Sequence, residues 1–353
     1  MTARRGGPWW RWSGWYIAMA LLMLAFHGAS WWFQRGRPAE RSPLDVEQDV
    51  LRQLDERLNA AAVTTVVVQE PVLGTVVVLA LVAAFVAWIA GWVLLARWWA
   101  EHRRQKHRPR ARAPLVWVFG DVGRIVIAAL FAAHLVPLIQ LAAYGVVGRR
   151  AEDLHVWILI SMVVTDGTAL LMAVLLARHK RLRWKMALGW RPQEARRRLA
   201  QGLTGYLATL PVFSLAVLAV MAVTSWLRYT PPPEPIVGLF LNESRWPLML
   251  AATLLICLAG PLIEEVFFRG VLYPALRRRW GVRWGLVVSS GCFAALHTNL
   301  VGLLPIWLLG GVLAYLYETT GSLLPSIALH VVHNSVMMTV MWLTRSLLIT
   351  MGR

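Results

Sequence analysis

Two adjacent glutamates and a nearby arginine are the first residues in this chain whose types and spacing suit catalysis. Glu265 and Arg269 have the i,i+4 spacing that places an acid and a base on one helical face, in the order that favours an ion pair. Glu264 lies about 100° further around the same helix, so its carboxylate points elsewhere and lacks that partner. An unpaired carboxylate in an apolar environment suits general acid–base chemistry. The alternative is that the trio only forms a buried polar contact between helices.

Three histidines and an asparagine follow later in the chain. His330 and Asn334 are i,i+4 and share a helical face, while His333 is placed to line the same cavity or to contact a neighbouring helix. His297 ends a separate apolar stretch. Counted from the charged or glycine residue that bounds each helix, Glu264, His297 and Asn334 all lie 13 or 14 residues deep, which is about 20 Å at the helical rise per residue. Groups from three helices are therefore predicted to meet at one level.

These residue types point to hydrolysis of an amide bond. Glu264 and His297 together are able to position and deprotonate a water molecule. His330 and Asn334 are able to donate hydrogen bonds to the oxyanion that forms when water attacks a carbonyl group. A metal-dependent alternative stays open, because Glu264, His297 and His330 form a two-histidine, one-carboxylate set that could bind Zn²⁺. The His-Glu-x2-His pattern of many zinc proteases is absent.

The elements that must position these groups are membrane-spanning helices. Of the 353 residues, 58% are hydrophobic and only 15% are charged, against about 25% charged residues in a typical soluble domain. This composition excludes a soluble enzyme, a disordered chain and a disulfide scaffold. We predict an all-α, polytopic transmembrane helical bundle of about nine spans, or eight if two short neighbouring stretches are one. The apolar stretches are 14–33, 72–96, 125–147, 154–177, 203–227, 246–276, 284–299, 302–317 and 322–343.

The charge distribution predicts the orientation of the bundle. The 36 basic residues outnumber the 18 acidic ones, and with nine spans most of the excess falls on one side, in the N-terminus and the loops 97–124, 178–198 and 277–283. Because basic loops are retained in the cytoplasm, the N-terminus is predicted to be cytoplasmic. The excess is thus explained by the lipid bilayer as partner, and nucleic acid is not expected to bind. Only three basic residues are lysines, which favours a GC-rich bacterial genome and hence a bacterial inner membrane.

Three motifs together resemble the type II CAAX prenyl endopeptidase family, also called CPBP. They are Glu-Glu-x3-Arg at 264–269, Phe-x3-His at 293–297 and His-x3-Asn at 330–334. Their order, spacing and helical placement match the family over roughly residues 245–340. The resemblance implies an all-helical intramembrane protease, whose metal dependence is disputed. It implies that Glu264 and His297 activate water, that His330 and Asn334 stabilise the oxyanion, and that Glu265 and Arg269 give structural support.

The sequence therefore predicts two regions and one leading function. Residues 1–200 form an N-terminal region of four transmembrane helices, with an outside segment at 34–70 and basic cytoplasmic loops, and residues 201–353 form the CPBP-like region. The predicted function is intramembrane cleavage of a membrane-associated peptide or protein, with no cofactor in a glutamate-based mechanism and Zn²⁺ in the metal-dependent one. The alternative is a non-catalytic membrane immunity or partner-binding protein on the same scaffold. Glu318, at the end of the 302–317 stretch, is expected to lie at the membrane interface.

Overall fold

The computed structural model describes residues 14, 16–19, 21–25, 60–104, 116–147, 153–182, 192–229, 235–297 and 300–351. All regular secondary structure within these ranges is helical. Seven helical segments among the described residues are long and apolar enough to cross a membrane, with Trp246–Ala295 counted as one segment. The predicted polytopic, all-α transmembrane bundle is confirmed, and the chain is an integral membrane protein.

The described helices are numbered in chain order from residue 60. They are α1 (Ala60–Gln69), α2 (Pro71–Arg104), α3 (Phe119–Val147), α4 (Asp153–His179), α5 (Ala195–Trp226), α6 (Pro235–Asn242), α7 (Trp246–Leu254), α8 (Gly260–Phe267), α9 (Tyr273–Ala295), α10 (Leu300–Thr320) and α11 (Leu324–Met351). Two wide π-helical turns, Leu255–Ala259 and Phe268–Leu272, join α7 to α8 and α8 to α9. Turns of this kind are rare and often occur at functional sites.

Helix α9 has two helical parts, because the backbone leaves helical geometry and changes direction sharply at Gly281. This residue has φ of 78° and ψ of −179°, a conformation that glycine adopts without a steric penalty. A Cβ atom at Gly285 would lie 3.1 Å from the Cα atom of Arg277, so the chain folds back on itself here. The predicted spans 246–276 and 284–299 are therefore separate helices. Half of the predicted span 14–33, and positions 34–59 of the predicted outside segment, lie outside the described residues.

The described helices form two compact units. In the unit that contains α3 and α4, the buried carboxylate of Asp121 accepts a hydrogen bond from the backbone N–H of Val118 at 3.1 Å. The same carboxylate lies 2.8 Å from the ammonium group of Lys180, just beyond α4. One carboxylate thus ties the start of α3 to the end of α4. The predicted domain boundary near residue 200 stays a prediction.

In the other unit, α5 packs closely against α2 and α11 through glycines. A Cβ atom at Gly91 of α2 would lie 2.4 Å from the carbonyl oxygen of Leu207, and one at Gly202 of α5 would lie 2.5 Å from that of Pro325. Small residues allow such close approach of helix backbones in membranes. Helix α11, which carries the third motif, is therefore held directly against α5.

Candidate active site

The first motif lies on α8 and in the π-helical turn that follows it. Glu265 and Arg269 are both fully buried, and Arg269 Nη1 donates a 2.8 Å hydrogen bond to Glu265 Oε1. The predicted i,i+4 ion pair is present. Glu264 lies on a different face, with 30% of its side chain exposed. Its Oε2 atom is nevertheless buried and has no hydrogen-bond partner, and the same is true of Glu265 Oε2.

His330 on α11 contacts both carboxylates of the first motif. Its Nδ1 atom lies 3.0 Å from Glu265 Oε1, and its Nε2 atom lies 3.8 Å from Glu264 Oε2. Because a carboxylate oxygen accepts hydrogen bonds, Nδ1 must carry a hydrogen. Nε2 faces Glu264 Oε2 at 3.8 Å, which is longer than a direct hydrogen bond. The neutral ring presents a lone pair there, and the protonated ring presents a second N–H.

Asn334 lies one helical turn beyond His330. Its side-chain amide donates a 2.8 Å hydrogen bond to the carbonyl oxygen of Ile256. Ile256 lies in the first π-helical turn, where the helix is too wide for the usual i→i+4 hydrogen bonding. One N–H of the amide is used in this contact, and the amide group has a second N–H. Asn334 thus ties α11 to the π-helical turn before α8, and His330 joins the third motif to the first.

His297 follows the end of α9 and is partly buried. Its Nδ1 atom lies 2.9 Å from the carbonyl oxygen of Phe293, which places the hydrogen on Nδ1 and leaves Nε2 as an acceptor. Within the part of the chain that the structure describes, no hydrogen bond or ion pair joins His297 to Glu264 or His330. The second motif therefore does not touch the other two through polar contacts.

The ring of Phe293 makes the connection instead. The Arg269 guanidinium carbon lies 4.5 Å from the centroid of this ring. The ring meets His297 edge to face at 4.9 Å and His330 at 5.5 Å. The motif alone does not predict this role of Phe293, although its i,i+4 spacing from His297 is a signal that the two rings meet. It packs against both histidines and against the buried ion pair.

The predicted metal-ligand set is not assembled in this structure. No group of three His, Cys, Asp or Glu side chains among the described residues is placed to hold a metal ion. Of the predicted ligands, Glu264 and His330 face each other, and no polar contact among the described residues joins His297 to either of them. The positions of these described side chains do not fit a three-ligand Zn²⁺ site.

The comparisons with known proteins concern this same part of the chain. Residues 246–336 match the model of a family described as type II CAAX prenyl endopeptidase Rce1-like. This region is similar to CAAX-type proteases. The resemblance predicted from the three motifs is thus confirmed, and we refer to residues 246–336 as the CAAX-type region.

The chain is also similar to part of one bacterial protein. A protein of Escherichia coli described as "Uncharacterized 24.3 kDa protein" is 30% identical over 104 residues, which are 28% of this chain and 48% of the relative. The chain therefore spans about half the length of the curated relative it matches. No solved structure matches the chain.

Two residues of the CAAX-type region differ in surroundings from the catalytic candidates. His333 packs edge to face against Tyr206 and Phe213 of α5, at 6.0 and 5.1 Å between ring centroids. It therefore contacts a neighbouring helix, which was one of the two alternatives for it. The expected position of Glu318 at the membrane interface stays a prediction. Glu318 is 2% exposed and is held between helices, because α9 packs its polar side chains against the end of α10.

Proposed function

We propose that the CAAX-type region is an intramembrane endopeptidase that hydrolyses a peptide bond in a membrane-associated peptide or protein. The observation that supports this most strongly is the buried Glu264 Oε2 atom without a hydrogen-bond partner, 3.8 Å from His330 Nε2. Buried polar atoms are normally paired. A carboxylate oxygen kept beside an imidazole suits a reacting water better than it suits a purely structural contact.

The proposed reaction starts with a water molecule between Glu264 and His297. Glu264 takes a proton from this water, and the resulting hydroxide adds to the carbonyl carbon of the substrate. His297 Nε2 accepts a hydrogen bond that orients the water. When the carbon–nitrogen bond breaks, the proton on Glu264 passes to the leaving amine. No atom outside the substrate, the water and these two side chains changes its covalent bonds.

The developing oxyanion is stabilised by His330 and Asn334 in this proposal. His330 is able to donate a hydrogen bond from Nε2 only when the ring is protonated, because Nδ1–H is already directed at Glu265. Asn334 contributes the amide N–H that does not bond to Ile256. Donors held in a dry, fixed site stabilise an oxyanion more than water does. Glu265 and Arg269 act through His330 and are positioning residues.

The test compares cells that express the wild-type chain with cells that express Glu264→Gln or His297→Ala. We expect at least one membrane protein to have a cleaved terminus only in cells that express the wild type. The purified wild-type chain should then cleave the same protein after the two are reconstituted together. His155→Ala, on α4 in the other unit, is the control and should cleave normally. Retained turnover by pure, folded Glu264→Gln would overturn the proposal. A cellular phenotype that survives both active-site substitutions would favour the non-catalytic immunity or partner-binding function.

The proposed orientation places the basic loops in the cytoplasm of a bacterial inner membrane. With nine spans the N-terminus is cytoplasmic and the C-terminus is outside. An alkaline phosphatase fused after residue 353 should then be active, whereas a fusion in the loop near residue 108 should be inactive. The reverse pattern would contradict this orientation.

A further inference from the structure

The sharp turn at Gly281 carries an unusual combination of exposed side chains. Arg278, Arg279 and Arg283 are exposed around it. The indole rings of Trp280 and Trp284 flank the same turn and are 49% and 64% exposed. Three guanidinium groups and two indoles therefore project from seven consecutive residues.

The sequence around this turn contains no compensating acid. No Asp or Glu occurs between Glu265 and Glu318, a stretch of 52 residues that contains five arginines. Two of these arginines are used inside the protein, because Arg269 bonds to Glu265 and Arg277 bonds to Glu318. The exposed charged and large side chains on the outer face of the turn are cationic and aromatic.

We infer that this turn is a binding surface for the headgroup of an anionic phospholipid. Guanidinium groups bind phosphate through two parallel hydrogen bonds, and tryptophan rings in membrane proteins lie at the level of the headgroups. The two exposed indoles place the turn at this depth, since an indole that projected into bulk water would lose its apolar contacts. The arginines beside them then meet lipid phosphates.

The turn at Gly281 lies in the chain between two of the motifs of the candidate active site, so a lipid bound there would affect that site. The turn connects Arg269 of the first motif to Phe293 of the second. It is held against the preceding helix where Gly285 meets Arg277, at 3.1 Å from a Cβ position to Cα. A headgroup that binds on both sides of Gly281 would hold these two helical segments together. Lipid binding itself does not depend on the proposed protease activity and is measured without a substrate.

The experiment measures the lipids that the purified full-length chain retains. The protein in detergent is mixed with equal amounts of phosphatidylglycerol and phosphatidylcholine, and the bound lipids are counted by native mass spectrometry. We expect wild type to retain phosphatidylglycerol preferentially. Arg279→Gln/Arg283→Gln should lower that preference about tenfold or more, given the attraction of each surface arginine to anionic lipid.

A matched variant distinguishes binding at this turn from an effect of net charge alone. Arg196→Gln/Arg197→Gln removes two exposed arginines from the first turn of α5 and should keep most of the preference. Unchanged melting temperatures would show that both variants fold. Equal retention of the two lipids by wild type, or equal losses in both variants, would overturn the inference. Displacement of the lipid by millimolar glycerol phosphate would also overturn it, by indicating a site for free anions.

Discussion

The CAAX-type region contains two buried pairs of glutamate and arginine that are similar in chemistry and different in surroundings. In the pair of Glu318 and Arg277, both carboxylate oxygens accept hydrogen bonds: Arg277 Nη2 lies 3.0 Å from Oε1, and Tyr273 Oη lies 2.8 Å from Oε2. In the pair of Glu265 and Arg269, one oxygen, Oε1, accepts from Arg269 and faces His330, while Oε2 has no hydrogen-bond partner.

We interpret this difference between the two carboxylates as one between a structural contact and the proposed reactive site. An unpaired buried polar atom costs about 1–3 kcal/mol. Around Arg269, both Glu264 and Glu265 have such an atom, which is Oε2 in each case. The carboxylate of Glu318 avoids this cost and ties α9 to α10. Incomplete pairing at Glu264 is expected where a substrate or a water molecule has to enter. Substitution by glutamine should therefore affect mainly turnover at Glu264 and mainly stability at Glu318.

The largest expected effect is on activity, and it sharpens this comparison directly. Glu264→Gln should lower turnover by a factor of about 10²–10⁴, which is the usual contribution of a general base, and should leave the melting temperature nearly unchanged. Glu318→Gln should lower the melting temperature and leave the turnover per folded molecule nearly unchanged. Turnover of the cleaved substrate and thermal unfolding in detergent are measured for both variants. Similar effects of the two substitutions on both quantities would contradict the distinction.

Glu265→Gln should show that the ion pair of Glu265 and Arg269 also stabilises the fold. The substitution leaves the charge of Arg269 buried without its partner, and breaking a buried ion pair in this way costs about 3–5 kcal/mol. A fall in melting temperature larger than that for Glu264→Gln is expected. The double variant Glu265→Gln/Arg269→Gln removes both charges and should recover part of the stability. If the double variant were less stable than either single one, the buried charge would not be the cause.

Much of this site could be predicted from the sequence because its information is local. The apolar stretches predict the helices by length and composition, and the i,i+4 spacing predicts the ion pair of Glu265 and Arg269. The same spacing places His330 and Asn334 on one face, where both contact the α8 region. Helical geometry alone determines these relationships.

Other parts depend on contacts between distant residues and on irregular backbone. The bond from Asn334 to Ile256 requires a π-helical turn, which no composition pattern predicts. The burial of Glu318 results from the packing of α9 on α10. His297 was predicted to join the other polar groups, but in the structure its contact with them is through the Phe293 ring.

A smaller effect on stability is expected where Arg269 contacts α10. Arg269 Nη2 donates a 3.1 Å hydrogen bond to the carbonyl oxygen of Gly310. A Cβ atom at Gly310 would lie 3.1 Å from the Phe293 ring and 3.2 Å from Ser290 Cα. Gly310→Ala should therefore destabilise the protein by about 1–3 kcal/mol, the usual range for overpacking.

The control for this substitution lies on α9. A Cβ atom at Gly291 would meet only Trp307 Nε1, at 3.9 Å, so Gly291→Ala should be neutral or slightly stabilising. Thermal unfolding of both variants is compared with that of wild type. Equal destabilisation by the two would mean that glycine flexibility, and not the close packing around Phe293, sets the effect.

The smallest expected effect is a difference in stability between substitutions of the two buried tyrosines beside Glu318. Tyr273 Oη donates to Glu318 Oε2 at 2.8 Å, whereas the buried Oη of Tyr317 has no hydrogen-bond partner. Tyr273→Phe should cost about 1 kcal/mol, at the lower end for a lost buried hydrogen bond, because Arg277 Nε still lies 3.0 Å from the same oxygen. Tyr317→Phe removes an unpaired hydroxyl and should leave the stability unchanged or raise it. Because both tyrosines lie beside Glu318 and not beside Glu264, turnover should stay normal in both variants, and a selective loss of turnover in Tyr273→Phe would show that the group around Glu318 is coupled to the site.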